Sequence, residues 1–190
     1  MMIQVFSNQL ADKHVLLSTM IKKVYIEYLL LKNDKESFHQ VLTIIQPKLL
    51  IFATSIIKDS SLAQDAVQEA MISIIKGFNK LKNHRKFHAW IYQVTRNKCI
   101  DMIRKNHKYK NDSDINTIEE PSSITEDLDG KIDMMGMIKQ LPHKQQTVIH
   151  LFYYDGFSII EIAGILHKPA GTIKSLLFDA REKLKYLLGE

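Results

Sequence analysis

His84 and His88 stand four residues apart, a spacing at which two imidazoles on one helix face can share a metal ion. The surrounding residues argue against that chemistry. The pair straddles the end of a polar run, residues 79–85, and the start of an apolar-periodic segment at Phe87, and no glutamate completes a zincin-type motif. Cys99 is the only cysteine and lies where an apolar segment turns basic, which suits a structural thiol better than a nucleophile. The seven glycines are scattered, and no Gly-Lys-Ser/Thr forms a phosphate-binding loop. A recombinase would need a nucleophile among carboxylates or arginines in the N-terminal half. The four arginines, Arg85, Arg96, Arg104 and Arg181, are too dispersed to suggest one. The expectation is no catalytic residue, no metal and no cofactor: a protein that binds rather than reacts.

What it would bind is written in the charge. The chain of 190 residues carries a formal net charge of +5, but the total hides its pattern. Residues 76–110 hold eleven Lys and Arg against the single acid Asp101, a net +10. Residues 111–136 hold eight acids against Lys131, a net −7. A basic block followed at once by an acidic block implies two electrostatic roles, the first suited to a nucleic-acid backbone. The bases are overwhelmingly Lys, a point charge that suits phosphates, whereas Arg reads base edges with a planar fork.

The elements that must carry these groups read as helices throughout, so the expected class is all-α. Phe38, Val41, Leu42, Ile45, Leu49, Phe52 and Ile56 recur at three and four. Pro47 interrupts this stripe and either kinks the helix or starts one. Ser61 and Gln64 form a capping box for the next helix. There Leu62, Ala66, Val67, Ala70, Met71, Ile74 and Ile75 face inward, and Gln64, Asp65, Gln68 and Glu69 face outward. Phe87, Trp90, Ile91 and Val94 begin a third helix, with Trp90 assigned to the core and Tyr92 facing elsewhere, as a weaker DNA candidate. Residues 108–123 are poor in apolar side chains and contain Pro121, which reads as a flexible linker. Ser123 with Glu126 makes another capping box, and Pro142 suits a first helical turn. By pattern, two helical bundles cover roughly 1–108 and 124–190. No apolar run approaches the ~18 residues of a membrane span, and the N-terminus lacks the features of a signal peptide. Met20 reads equally as a second translation start or as part of an extra N-terminal helix. A reducing, cytoplasmic setting is expected from the single cysteine.

The sharpest local signal lies near the C-terminus. Asp155-Gly156 ends a helix, Ser158 and Glu161 form a capping box, and Ile159, Ile162, Ala163 and Leu166 face a core. His167-Lys168-Pro169 breaks the chain, and Gly171-Thr172-Ile173-Lys174-Ser175 opens a longer helix running through Leu188. A short helix, a brief break and a longer helix predict a helix-turn-helix. Ile173 and Leu177 would anchor its second helix, leaving Thr172, Lys174 and Ser175 for the major groove.

Two stretches resemble the extracytoplasmic-function class of bacterial RNA polymerase sigma factors. Asp65-Ala66-Val67-Gln68-Glu69, Phe87 to Tyr92, Arg96-Asn97 and Asp101 to Lys105 look like region 2 of that family. Leu141-Pro142, Gln145-Gln146, Tyr154 to Ser158, Glu161-Ile162-Ala163, Pro169 to Ser175 and Ala180-Arg181 look like region 4. The resemblance implies an N-terminal extension over 1–30, a region 2-like domain over 31–108, an acidic linker over 109–123 and a region 4-like domain over 124–190. It implies core RNA polymerase and promoter DNA as partners, an anti-sigma factor (membrane-linked) as a third, and no stable homo-oligomer. Asp65, Gln68 and Glu69 would meet the polymerase. Lys82, Asn83, His84, Arg85, Lys86, Arg96, Asn97, Arg104 and Lys105 would handle the minus-ten element. Gly171, Thr172, Lys174, Ser175 and Arg181 would read the minus-thirty-five element, and the acidic linker would follow the RNA exit path. The alternative is a stand-alone helix-turn-helix regulator that binds duplex DNA as a dimer. The chain departs from the family pattern at Leu176, Phe178 and Asp179, where basic or polar residues are common. Leu176 and Phe178 would then pack on a partner or touch thymine methyls. Asn83 stands where relatives often have glycine, and Asn tolerates the left-handed conformation.

Overall fold

The computed structural model describes residues 24–32, 34–57, 59–81, 83, 86–111 and 134–189. Within them every regular element is helical, as the periodicity predicts. The acidic linker, the Ser123–Glu126 capping box and Met20 lie outside the described residues, as do Lys82, His84 and Arg85.

Residues 24–32 form α1, which sends Ile26, Leu29 and Leu30 into the core, so burial begins within the stretch expected to be an extension. Asp34 then caps α2 (Lys35–Ile56), its carboxylate accepting from the Ser37 amide at 2.7 Å and the Ser37 hydroxyl at 2.8 Å. These bonds favour the charged carboxylate and hold it below its usual range. Pro47 neither starts nor ends a helix. It lies inside α2 on an exposed position, where the one backbone bond it removes is tolerated.

Asp59, not Ser61, caps α3 (Ser60–Phe78): its side chain accepts from the Leu62 amide at 3.0 Å. The sequence offers three consecutive capping types here, Asp59-Ser60-Ser61, and the helix takes the first. Ala63, Ala66 and Ala70 are fully buried and let α3 approach its neighbours closely. Phe87 opens α4 (Phe87–Asn111) and is itself fully buried. Its ring meets Phe78 edge-on at 5.8 Å, and Phe78 stacks on Phe38 at 4.4 Å. Trp90, expected in the core, is half-buried and lies over Gly77, where a Cβ would sit 2.9 Å from the indole.

The C-terminal half comprises α5 (Met134–Lys139), α6 (His143–Ile149), α7 (Ile159–Leu166) and α8 (Ala170–Leu187). Pro142 starts α6 as expected. The helix does not stop at Ile149. It widens into a π-helical turn, His150–Tyr154, closed by the Asp155 amide donating to the His150 carbonyl at 3.0 Å. Nothing in the sequence announces this turn. Val148, Ile149, Leu151, Ile162, Ile165, Ile173, Leu177 and Leu184 form the core of this half.

The two halves are not separate. α2 packs on α6 and α4 on α7, and their buried residues form one continuous cluster. Tyr92, expected to face outward, is 3% exposed. Its ring lies 5.0 Å from Phe52 in its own half and 5.0 Å from Phe157 in the other. The residues that cover Tyr92 come from both halves, so neither half's local pattern predicts its burial.

Phe87→Ala would leave a cavity where three helices meet and should cost about 3–5 kcal/mol. Urea denaturation followed by circular dichroism measures it; a loss below about 1 kcal/mol would show that Phe87 is not central to the core.

Candidate nucleic-acid interface

The helix-turn-helix forms as predicted. The Ser158 hydroxyl accepts from the Glu161 amide at 3.3 Å, and Glu161 Oε2 accepts from the Ser158 amide at 2.8 Å. This reciprocal cap sets the start of α7. His167 ends it with a left-handed backbone, φ 51°, and the Lys168 amide returns to the Ala163 carbonyl at 3.0 Å. Pro169 then precedes α8, whose first turn has no side-chain cap. Ile173 and Leu177 are buried and anchor α8.

Around that anchor, Gly171, Lys174 and Ser175 are exposed and Thr172 is half-buried, so these four group at the start of α8. Arg181 is different. Its Nε donates to the Tyr153 hydroxyl at 2.9 Å, and its guanidinium lies 5.8 Å from the centres of both the Phe152 and Tyr153 rings. The half-buried cation is thus already engaged within its own domain. Of the departing residues, Leu176 packs against the core, Phe178 is 61% exposed and Asp179 is exposed. Phe178 therefore extends the exposed stripe begun by Gly171, Lys174 and Ser175.

In the N-terminal half, Asp65 and Gln68 are exposed on α3, while half-buried Glu69 pairs with Lys98 of α4 at 3.2 Å. The same helix face carries Ile72, 53% exposed, and Ile75, 50% exposed. Ile75, expected to face inward, and Ile72, which its spacing alone does not distinguish, both lie on the surface. Their recurrence with Asp65 and Gln68 at intervals of three and four was the available signal. Polar groups with two exposed isoleucines form a surface suited to a protein partner.

Of the residues expected to handle DNA here, Asn83 is exposed and its carbonyl accepts from the Lys86 amide at 3.0 Å. Lys86 is exposed just before α4 begins. Along α4, Asn97, Arg104 and Lys105 are exposed and Arg96 is half-buried. Asn97, Arg104 and Lys105 share one flank through their spacing of seven and eight. Cys99 is buried, and burial pushes its thiol up to about 12, which excludes it as a nucleophile at neutral pH. No cluster of three or more metal-ligating side chains occurs among the described residues, and no helix among them is long and apolar enough to cross a membrane.

The junction between the halves is polar as well as apolar. Lys48 of α2 meets the nearly buried Asp155 carboxylate at 3.3 Å. Thr147 Oγ1 lies 3.0 Å from Ser55 Oγ, whose own proton goes to the Phe52 carbonyl at 2.7 Å. Gln93 Nε2 donates to the Gly164 carbonyl at 3.2 Å. Burial pushes the Asp155 carboxyl up despite Lys48. Burial, and then the Asp155 carboxylate, raise Tyr92 well above its ordinary value, yet the phenol makes no hydrogen bond of normal geometry.

This arrangement defines a helical DNA-binding protein with a second, basic helical domain. The Sigma-70 region 2 family matches residues 43–109, and the Sigma-70, region 4 family matches residues 132–184. The ECF RNA polymerase sigma factor SigW of Bacillus subtilis is 30% identical over 168 residues, covering 81% of this chain and 90% of that protein. The RNA polymerase sigma-H factor of Pseudomonas aeruginosa is 25% identical, covering 80% of this chain and 86% of that protein. Among solved structures, the sigma factor RpoE of Bartonella quintana, in complex with the anti-sigma factor NepR, superposes with a TM-score of 0.66 at 28% identity, covering 81% of this chain and 98% of that one. CnrH, solved with the cytosolic domain of CnrY, shares the fold with a TM-score of 0.54 at 18% identity, covering 86% of this chain and 95% of that one. The chain belongs to the ECF RNA polymerase sigma factors of the sigma-70 family. It is a transcription initiation factor that directs RNA polymerase to promoters.

Ser158→Ala removes the cap that starts the helix-turn-helix and should cost about 1 kcal/mol. For a chain of this size, that lowers Tm by roughly 2–4 °C, readable by thermal circular dichroism; an unchanged Tm would show that the capping box contributes nothing.

Proposed function

We propose that the exposed face of α3 docks on core RNA polymerase, that the loop before α4 and the basic flank of α4 open the minus-ten element, and that the start of α8 reads the minus-thirty-five element. The observation that carries this reading is the ordered pair of region 2 and region 4 on one chain, each presenting an exposed face of suitable chemistry. Asp65, Gln68 and Glu69 supply negative and polar groups for a basic partner surface, and Ile72 and Ile75 supply apolar contact. Asn83, Lys86, Arg96, Asn97, Arg104 and Lys105, with Lys82, His84 and Arg85 of the same sequence block, hold backbone and unstacked bases. Gly171, Thr172, Lys174 and Ser175 enter the major groove, with Arg181 bracing the helix from behind or joining it when DNA is bound.

The protein carries out no reaction of its own and works in the cytoplasm, where its polymerase is. The anti-sigma factor NepR is bound to the related sigma factor RpoE of Bartonella quintana, which supports an anti-sigma factor as a partner here too. A stand-alone dimeric regulator finds no support, since it would have no use for a region 2 domain.

The deciding experiment is in-vitro transcription with bacterial core polymerase on a promoter library. Stimulation of specific promoters is expected; none on any promoter would refute the reading. The double variant Gln68→Lys/Glu69→Lys should weaken core binding at least ~10-fold, an electrostatic effect of ~1.4 kcal/mol or more, with helicity unchanged. Unaltered binding by titration would remove α3 as the docking face. Lys174→Ala should lower transcription only from promoters that depend on the minus-thirty-five element and should flatten the salt dependence of DNA binding. Equal loss on all promoters would mean that α8 does not read sequence.

A further inference from the structure

Nothing in the fold uses the charge of Asp179. The residue lies in the middle of α8, where Asp is a poor helix former and where neither a cap nor the first turn employs a carboxylate. It is exposed, and it takes part in none of the ion pairs or side-chain hydrogen bonds among the described residues. The two glutamates of the helix-turn-helix are engaged: Glu161 closes the cap of α7, and Glu182 pairs with Lys185. Lys183, one turn beyond Asp179, is exposed and makes no pair with it.

Its position does suit a use. Asp179 stands four residues after Ser175 and seven after Thr172, so the three share one flank of α8. Lys174 and Phe178 lie on the adjoining flank, and buried Ile173, Leu177 and Ala180 lie opposite. From Gly171 to Asp179 the helix axis runs ~12 Å, a length that the major groove, ~12 Å wide, admits whole. A carboxylate carried into that groove can only accept, and the phosphates on either side repel it. Guanine presents two acceptors there, and thymine an acceptor beside a methyl group, so neither offers it a donor. Adenine offers its N6 amino group, but beside the N7 acceptor. Cytosine offers its N4 amino group with no acceptor of its own alongside.

We infer that Asp179 is a specificity-determining residue of α8, whose carboxylate accepts from the N4 amino group of a cytosine at one position of the minus-thirty-five element. The inference rests on the reading of α8 given above and adds to it the base that this helix selects. Asp179 lowers affinity for every duplex, and only a cytosine in the right place offsets that loss. A wrong base leaves the desolvated carboxylate unpaired, which costs more than the bond itself contributes. Discrimination by a repulsive group is the form of selection open to a helix with so few cations.

The test is in-vitro transcription by core polymerase with the full-length chain, on a promoter library randomised across the minus-thirty-five element and fixed elsewhere. Wild type should favour cytosine at one position, on one strand, by roughly 5-fold or more over each other base. Asp179→Ala should abolish that preference and leave those at the other positions. It should also raise affinity for random duplex DNA a few-fold, because a negative charge has gone. Asp179→Asn should move the preference at the same position to adenine, since an amide bonds N6 and N7 together. The side chain is exposed, so circular dichroism of both variants should match wild type. A cytosine preference that survives Asp179→Ala would overturn the assignment. So would equal loss of preference at every position, which is what a merely structural role would give, or a wild type that selects bases but nowhere cytosine. A wild type with no preference at any position would refute the reading of α8 itself, and the assignment with it.

Discussion

Burial of Tyr92 between Phe52 and Phe157 is the contact on which the architecture turns. α5, α6 and α7 run only six to eight residues, too short to be stable alone in water. They gain stability by packing: α5 on α8, α6 on α8 and on α2 of the other half, and α7 on α8 and on α4 of the other half. The Tyr92 ring gives that junction apolar area from both sides.

The π-helical turn at His150–Tyr154 explains how a charged residue comes to sit in this junction. A regular α-helix would rotate Asp155 to another bearing. The extra residue per turn, with the Phe157 amide bonded back to the Leu151 carbonyl at 2.9 Å, sets Asp155 against Lys48 and Phe157 against Tyr92 together. Half-buried His150 opens the same turn, where desolvation holds its imidazole below its usual value and therefore neutral at pH 7. The turn thus supplies a negative charge to α2 without adding a positive one.

The sequence made some of this legible and concealed the rest for identifiable reasons. Helix identity was plain because apolar residues recur at three and four, and the helix-turn-helix was plain because Ser158, Glu161, His167 and Pro169 are local stop and start signals. Both are short-range effects. The cap at Asp59 was misassigned because adjacent Asp and Ser residues compete for one role. Tyr92 was misplaced because its burial depends on Phe157, across the linker. Ile75 was turned inward because an isoleucine at helical spacing is assigned to a core by default. Only the packed structure shows that α3 has more apolar residues than its neighbours cover. Arg181 looked free for DNA because nothing local marks Tyr153 as its acceptor.

Few cations lie on the exposed face at the start of α8, which limits what this helix can do alone. From Gly171 to Asp179 its exposed residues include one cation, Lys174, beside Phe178 and the acid Asp179; exposed Lys183 comes a turn later, and Glu182 is paired with Lys185. Each phosphate neutralised contributes about one unit to the salt slope of duplex binding, so the start of this helix has little electrostatic affinity of its own, and Asp179 opposes phosphate approach. Phe178 offers apolar contact, which discriminates a thymine methyl without adding charge. Such a surface favours selection over strength. Strength must come from linkage to a second site, where an effective concentration in the millimolar range replaces bulk encounter. On the reading proposed above, the exposed face of α3 and the basic flank of α4 would provide it once the protein is on polymerase. A weak reader on a strong tether is what a factor needs if it must recognise a promoter and then release it.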